Sequence, residues 1–217
     1  MAVATSGSNR VMTSMDGINW TDRNAAQNSS WWSITFGDGF FVAVSSDGSG
    51  RSMRSTDGIG WTSGGGATRF WKSVVFGNGR FVAVASDGGK QRVMSSADGL
   101  SWFSHWPTEE DAWISVTYGK DIFVAVSRNG KCMTSPDGIG WTARNLMTRS
   151  QASRVRYGGG LFVAIGYGDD AVYSKDGISW TKTGIPVSGY WQALAYGAGV
   201  FVAAEVYERA KNIMRTI

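Results

Sequence analysis

The sequence predicts an all-β fold, a β-propeller of four-stranded antiparallel blades, and three observations carry the prediction. Two linked motifs recur in register along nearly the whole of the 217 residues. No segment shows a sustained helical period. The composition has 30 Gly, 3 Pro and 18% charged residues, which excludes disorder, a coiled coil and a helix-rich domain. Units of about 40 residues with four short strands each are the signature of propeller blades.

The first motif is Ser-x-Asp-Gly-(Ile or Leu)-x-Trp. Its five copies are Ser14, Asp16 and Trp20; Ser55, Asp57 and Trp61; Ser96, Asp98 and Trp102; Ser135, Asp137 and Trp141; and Ser174, Asp176 and Trp180. Successive Asp residues are 41, 41, 39 and 39 positions apart. The second motif, Trp-x-x-apolar-x-(Phe or Tyr)-Gly followed by a version of Phe-Val-Ala-Val, starts at Trp31, Trp71, Trp113 and Trp191, with Ala152 in the fourth copy. In the unit starting at Trp71, strand A is Trp71 to Phe76 and Gly77-Asn78-Gly79 turns the chain with positive φ. Strand B, Phe81 to Ala85, is apolar on both faces, as a strand between sheets must be. Strand C is Arg92 to Ser95, and strand D starts at Trp102.

The Ser-x-Asp-Gly turn joins C to D. Short Ser and Asp side chains accept bonds from nearby backbone N–H groups. The Gly removes a Cβ that would clash, and the Trp packs against a neighbouring blade. One carboxylate per blade reads as a structural repeat rather than a catalytic set. The chain starts within strand B and ends within strand C, giving five A, six B, six C and five D strands. This count predicts five blades, with N- and C-terminal strands sharing the closing blade; an incomplete six-bladed ring is the alternative. One B–C hairpin is then redundant, and its free edge points to homo-oligomerisation or docking in a larger assembly.

The five turns resemble the Asp-box, or BNR, repeat of sialidase-like propellers and of many phage and bacterial proteins. Here Gly follows Asp at once and Trp arrives one residue early, so the pattern is a variant. The resemblance implies the fold over nearly the whole chain. For function it implies a choice among glycosidases, lectins, assembly factors and virion components.

The net charge of +4 and pI near 9.3 are too dilute for a nucleic-acid footprint. No apolar run is long enough for membrane insertion, and the first residues do not read as a signal peptide, so synthesis in a cytoplasm is expected. Cys132 and His105 are each the only residue of their type, so neither a disulfide framework nor a multi-ligand metal site is expected, and no cofactor motif is present. Gly64-Gly-Gly66 and Gly88-Gly-Lys90 lack phosphate-loop spacing.

The A–B and C–D turns are nearly constant between repeats, whereas the B–C and D–A connections vary, which points to the latter edge for binding. Trp32 and Trp106 stand outside the repeated Trp positions. Trp106, beside His105 and the Glu109-Glu110-Asp111 run, reads either as a stacking platform for a sugar or as a plug over an inter-blade groove. In the Ala152 repeat, Arg154 and Arg156 share one face of strand A where other copies have small residues, and Asp170 replaces a recurring Arg or Lys. The pair reads as an anion site or as one half of an ion pair with a neighbouring Asp. Tyr167 and Tyr190 complete the candidate ligand-binding set. The expected function is non-enzymatic binding or assembly, in a phage tail, baseplate or fibre that faces a host glycan or protein subunit. The alternatives are a free multivalent lectin and, disfavoured, a sialidase-like hydrolase.

Overall fold

The computed structural model describes residues 1–87, 89–146, 151–205 and, by backbone, 213–215. Gly88, residues 147–150 of one D–A connection, and Asn212 and Thr216 at the last strand lie outside the described residues. Among the described residues every regular element is a strand. The fold is that of a five-bladed β-propeller, as the repeats predict. Contacts divide the chain into two compact units, Met1–Trp106 and Pro107–Ile217.

The first unit opens with a three-stranded sheet, β1 (Ala2–Val3), β2 (Val11–Thr13) and β3 (Thr21–Arg23), carrying strands of types B, C and D. Two complete A–B–C–D sheets follow. They are β4 (Trp31–Gly37), β5 (Phe40–Ser45), β6 (Ser52–Ser55) and β7 (Thr62–Gly64), then β8 (Trp71–Gly77), β9 (Arg80–Ala85), β10 (Val93–Ser96) and β11 (Phe103–His105). The second unit holds a further complete sheet, β12 (Trp113–Gly119), β13 (Ile122–Ser127), β14 (Lys131–Ser135) and β15 (Thr142–Asn145). A five-stranded run closes it: β16 (Ala152–Gly158), β17 (Leu161–Ser174), β18 (Thr181–Gly197), β19 (Val200–Glu205) and β20 (Ile213–Arg215). All pairings are antiparallel between consecutive strands.

The five-stranded run departs from the expected pattern. β17 serves as both B and C of the Ala152 repeat, and β18 as its D strand and the A strand of the next repeat. Pairing of Tyr167 with Tyr190 and of Gly168 with Gly189 extends the ladder where the other repeats have open loops.

Four of the five A-strand segments begin with a buried Trp, and Trp31, Trp71, Trp113 and Trp191 are all at most 1% exposed. Trp71 is typical. Its indole Nε1 donates to Ala67 O at 2.9 Å, and its ring lies in a cluster with Val42, Val44, Phe81 and Met94. Where Ala152 replaces the Trp, buried Leu146 packs in the cluster instead, and a residual cavity of about 10 Å³ remains beside them.

The A strands of successive repeats are stitched by side-chain oxygens. Ser33 Oγ accepts from Val74 N at 3.1 Å, Ser115 Oγ from Val155 N at 3.1 Å, and Thr117 Oγ1 from Tyr157 N at 3.2 Å.

All five Ser-x-Asp-Gly turns form one hydrogen-bonded unit. In the Asp98 turn, Oδ1 accepts from Ser96 Oγ (2.9 Å), Leu100 N (2.9 Å) and Ser101 N (2.7 Å), while Ser96 Oγ accepts from Gly99 N (2.8 Å). The same pattern recurs at Asp16, Asp57, Asp137 and Asp176. Gly99 has a φ of +73°, and a Cβ there would come within 2.5 Å of Val42 in the preceding repeat. The glycine therefore satisfies both the turn and the inter-repeat packing. The Trp ending the motif covers the preceding B strand. Trp102 packs on Val42 and Val44 and donates to Ser52 Oγ at 2.8 Å, and Trp180 packs on Val124 and Val126. Trp20 belongs to the first sheet, has no preceding sheet in its unit, and stays 46% exposed.

One A–B turn breaks its own rule. Positive φ recurs at the second turn position, at Gly39, Gly79, Gly160 and Gly199, but Lys120 and Asp121 adopt φ of 45° and 60° without a glycine. A side chain in this region costs about 1–2 kcal/mol, partly offset by the greater unfolded-state freedom of Gly. Asp121→Gly is expected to raise the thermal midpoint by roughly 1–2 °C in a melting experiment.

Candidate functional site

On the first unit, the B–C and D–A edge carries exposed rings. The buried first residue of strand A forces its neighbours outward. Phe70 precedes Trp71 and is 52% exposed, and Trp32 follows Trp31 and is 46% exposed. Trp32 Nε1 donates to Ser46 Oγ at 2.9 Å, and Lys72 Nζ stands 3.4 Å from the ring centroid. Trp106 is 59% exposed, with Lys90 Nζ 6.0 Å from its ring centroid. Cations over indole faces give this edge both apolar area and positive charge.

His105 is not on the loop with Trp106 as expected. It ends β11, opposite Val93, and its Nε2 lies 2.7 Å from Ser95 Oγ. The physical reason is a C–D rung with a fixed separation of ten residues. Arg23 Nε donates to Thr13 Oγ1 at 3.1 Å and Arg144 Nε to Thr134 Oγ1 at 2.9 Å in the same relation. Ser95 is buried and His105 half-buried, so the bond ties strand C to strand D from inside the sheet.

On the second unit, the acidic run is a support. Glu109 lies 2.5 Å from Lys131 Nζ and Asp111 3.7 Å from it, and buried Asp111 also accepts from Asn129 Nδ2 at 2.7 Å. Asp170, standing where others have Arg or Lys, pairs with Lys182 at 2.7 Å, so the charges have changed partners across the strand pair. Cys132 is buried, and burial pushes its thiol up to about 12, far from any thiolate chemistry at neutral pH.

Arg154 and Arg156 do lie on one face of β16. Arg156 Nε donates to Leu194 O at 3.2 Å, and Arg154 Nη1 to Ser153 O at 2.7 Å. Among the described residues neither has a carboxylate partner, so the ion pair that sequence allowed is not formed. Partial desolvation against the neighbouring strand lowers both guanidinium groups from their ordinary range, although Arg156 as a whole is exposed and Arg154 half-exposed; Arg156 adds to the effect on Arg154 while Tyr190 opposes it. Tyr190 is half-buried and Tyr167 is 62% exposed, with ring centroids 6.1 Å apart across the β17–β18 ladder. Arg154 and the two tyrosines thus belong to one neighbourhood, whereas Trp106 and His105 belong to the first unit.

Sequence reasoning missed an apolar groove of about 700 Å³ in the second unit, lined by Val163, Ile165, Ala171, Ile185, Leu194 and Phe201 among others. Val163 and Ile165 match Val124 and Val126, which Trp180 covers. Among the described residues no group of three His, Cys, Asp or Glu side chains is placed to hold a metal.

No family model and no curated protein matches the chain. Solved structures do. The computationally designed protein Ika8 is similar with a TM-score of 0.65 at 14% identity, over 84% of this chain and 58% of that one. The likeness is one of fold. A structure of YCF48 bound to D1 peptide gives a TM-score of 0.62 at 18% identity, over 94% of this chain and 74% of that one. A nidogen/laminin complex gives 0.64 at 11% identity, over 82% of this chain and 72% of that one. The chain spans less than two thirds of the designed protein's length. A propeller fold is consistent with a non-enzymatic binding or structural role.

Proposed function

We propose that this chain is a non-enzymatic recognition propeller that holds a protein or glycan partner on the edge formed by its B–C and D–A connections. The observation that carries the reading is the set of exposed rings with lysines over them, Trp32 with Lys72 and Trp106 with Lys90. Exposed Trp on and beside the variable connections of a rigid scaffold, Trp106 in a D–A connection and Trp32 at the second position of β4, is the composition of a binding hot spot. The lysines favour an acidic partner. The peptide-bound YCF48 and the nidogen/laminin complex, both similar in fold, support a polypeptide ligand. A virion tail, baseplate or fibre facing a host glycan is the setting that the Asp-box resemblance adds to this proposal. A free lectin is the second reading, favoured by the open ring of Tyr167.

The test is a glycan array and an arrayed library of acidic peptides, each probed with the wild type and with Trp106→Ala and Trp32→Ala. Selective binding to one class, weakened roughly ten- to a hundredfold in at least one variant, is the expected result. Binding that neither variant alters moves the site off this edge. No selective binding on either array overturns recognition in favour of a purely architectural role.

A further inference from the structure

At the seam between β16 and the A-strand part of β18 the stitching changes character: Ser153 Oγ donates to Trp191 O and Arg156 Nε to Leu194 O, but the Ser and Thr acceptors of the preceding seam are replaced. At the preceding seam, Ser115 and Thr117 accept the N–H groups of Val155 and Tyr157. The positions matching Ser115 and Thr117 in the next strand are Arg154 and Arg156, which have no side-chain acceptor. Two hydrogen bonds worth about 1 kcal/mol each are exchanged for two like charges held side by side in a partly dry seam. Residues i and i+2 of a strand lie about 6.5 Å apart on one face. Among the described residues the acceptors for the pair are backbone carbonyls, of Ser153 and Leu194, which use one N–H of each fork and cancel no charge. Arg156 remains solvent-exposed and Arg154 half-exposed, so the remaining donors are within reach of solute. A local departure of this kind, with no carboxylate paired to either arginine among the described residues, marks a site that something else completes.

We propose that Arg154 and Arg156 form a binding site for a small oxyanion, a phosphate or carboxylate group, which bridges the two guanidinium groups. The planar N–H forks of two arginines match the oxygens of such a group. Tyr190 adjoins Trp191, the residue whose carbonyl Ser153 bonds beside Arg154, so its half-buried ring belongs to the same strand pair. The site is built from residues of the second unit alone, and its test is independent of the reading of the aromatic edge.

The repeat supplies mild variants, Arg154→Ser and Arg156→Thr, which restore the residues found at the matching positions of β12. Wild type and the double variant are titrated calorimetrically with inorganic phosphate and, separately, with glucuronate, at constant ionic strength, and melted without either anion. The expected result is saturable binding of at least one anion, weakened roughly tenfold in each single variant and lost in the double variant. Saturation by phosphate alone assigns a phosphate-bearing ligand, and by glucuronate alone a carboxylate-bearing one. Without anion, the double variant melts at or above the wild-type temperature, because charge repulsion is removed and the Ser/Thr stitching restored. Equal binding in wild type and double variant, no saturable binding of either anion, or a double variant that melts well below wild type overturns the proposal. The last outcome would make the arginines structural.

Discussion

Trp71→Ala is expected to remove about 3–5 kcal/mol of stability, in the range for deleting a fully buried indole. The ring is 0% exposed and contacts two repeats at once, so its loss opens a cavity between sheets rather than inside one. The indole N–H bond to Ala67, which ties the D–A connection to the strand, goes with it. In a chain of this size the midpoint should fall by roughly 10 °C in thermal denaturation followed by near-ultraviolet circular dichroism. The Ala152 repeat provides the contrast. Leu146 already packs there and only about 10 Å³ is left, so Ala152→Trp, although it restores the repeat, is expected to destabilise by overpacking. A Trp71→Ala protein that melts within 2 °C of wild type would show that the Trp columns are not what holds the sheets together.

The second large effect is acid sensitivity centred on the Ser-x-Asp-Gly turns. Burial alone would raise the Asp98 carboxyl, but the N–H groups of Ser101 and Leu100 and two serine hydroxyls bring it down to about 2 from the ordinary 3.8. The N–H groups of Ser179 and Ile178 hold Asp176 at about 2 as well. Asp16, led by Asn19 N–H, and Asp57, led by Ile59 N–H, are lowered by the same kind of bonding. A carboxylate whose folded pKa lies below its unfolded value contributes stability that is complete above the unfolded value and disappears as pH falls through the folded one. The melting temperature should therefore stay level from pH 7 to about 4 and fall steeply between pH 4 and 2. Asp98→Ala removes the acceptor for two backbone and two hydroxyl donors and should cost about 2 kcal/mol at pH 7. Asp98→Asn should flatten part of the acid slope. A wild-type slope unchanged in that variant would show that the turn carboxylates do not set acid stability.

Those turns were also what made the fold readable. Their chemistry is local: Ser, Asp and Gly must stand at fixed offsets to satisfy backbone N–H groups, and the Trp must land four residues after the Asp to reach the preceding sheet. A local constraint repeated five times appears in sequence as a spacing, and spacing gave strand type, strand order and blade number. The aromatic edge was half legible, since Trp32 and Trp106 stand out by falling off the repeat. His105 did not, because nothing in the residues around it separates a strand end from a loop start; its rung with Ser95 becomes recognisable only beside the Arg23–Thr13 and Arg144–Thr134 rungs. Leu146 packing in place of the missing Trp was equally hidden. Such compensation is made by a residue from another strand connection, through packing that no sequence offset encodes.

The unbroken strand β18 has a consequence for how the molecule opens. In a tandem array each unit normally frays from its neighbour at the loop between them, and stability is a sum of unit and interface contributions. β18 runs 17 residues through that boundary, laddered to β17 on one side of it and to β19 on the other. The joint bulges at residues 185–188 but is pinned by ladder pairs on both sides of the bulge, Asp170 with Gly184 and Gly168 with Gly189, so the two repeats have no open loop between them at which to part. They are expected to open as a single cooperative unit of local unfolding, the strands around Trp191 sharing the protection of those around Ala152.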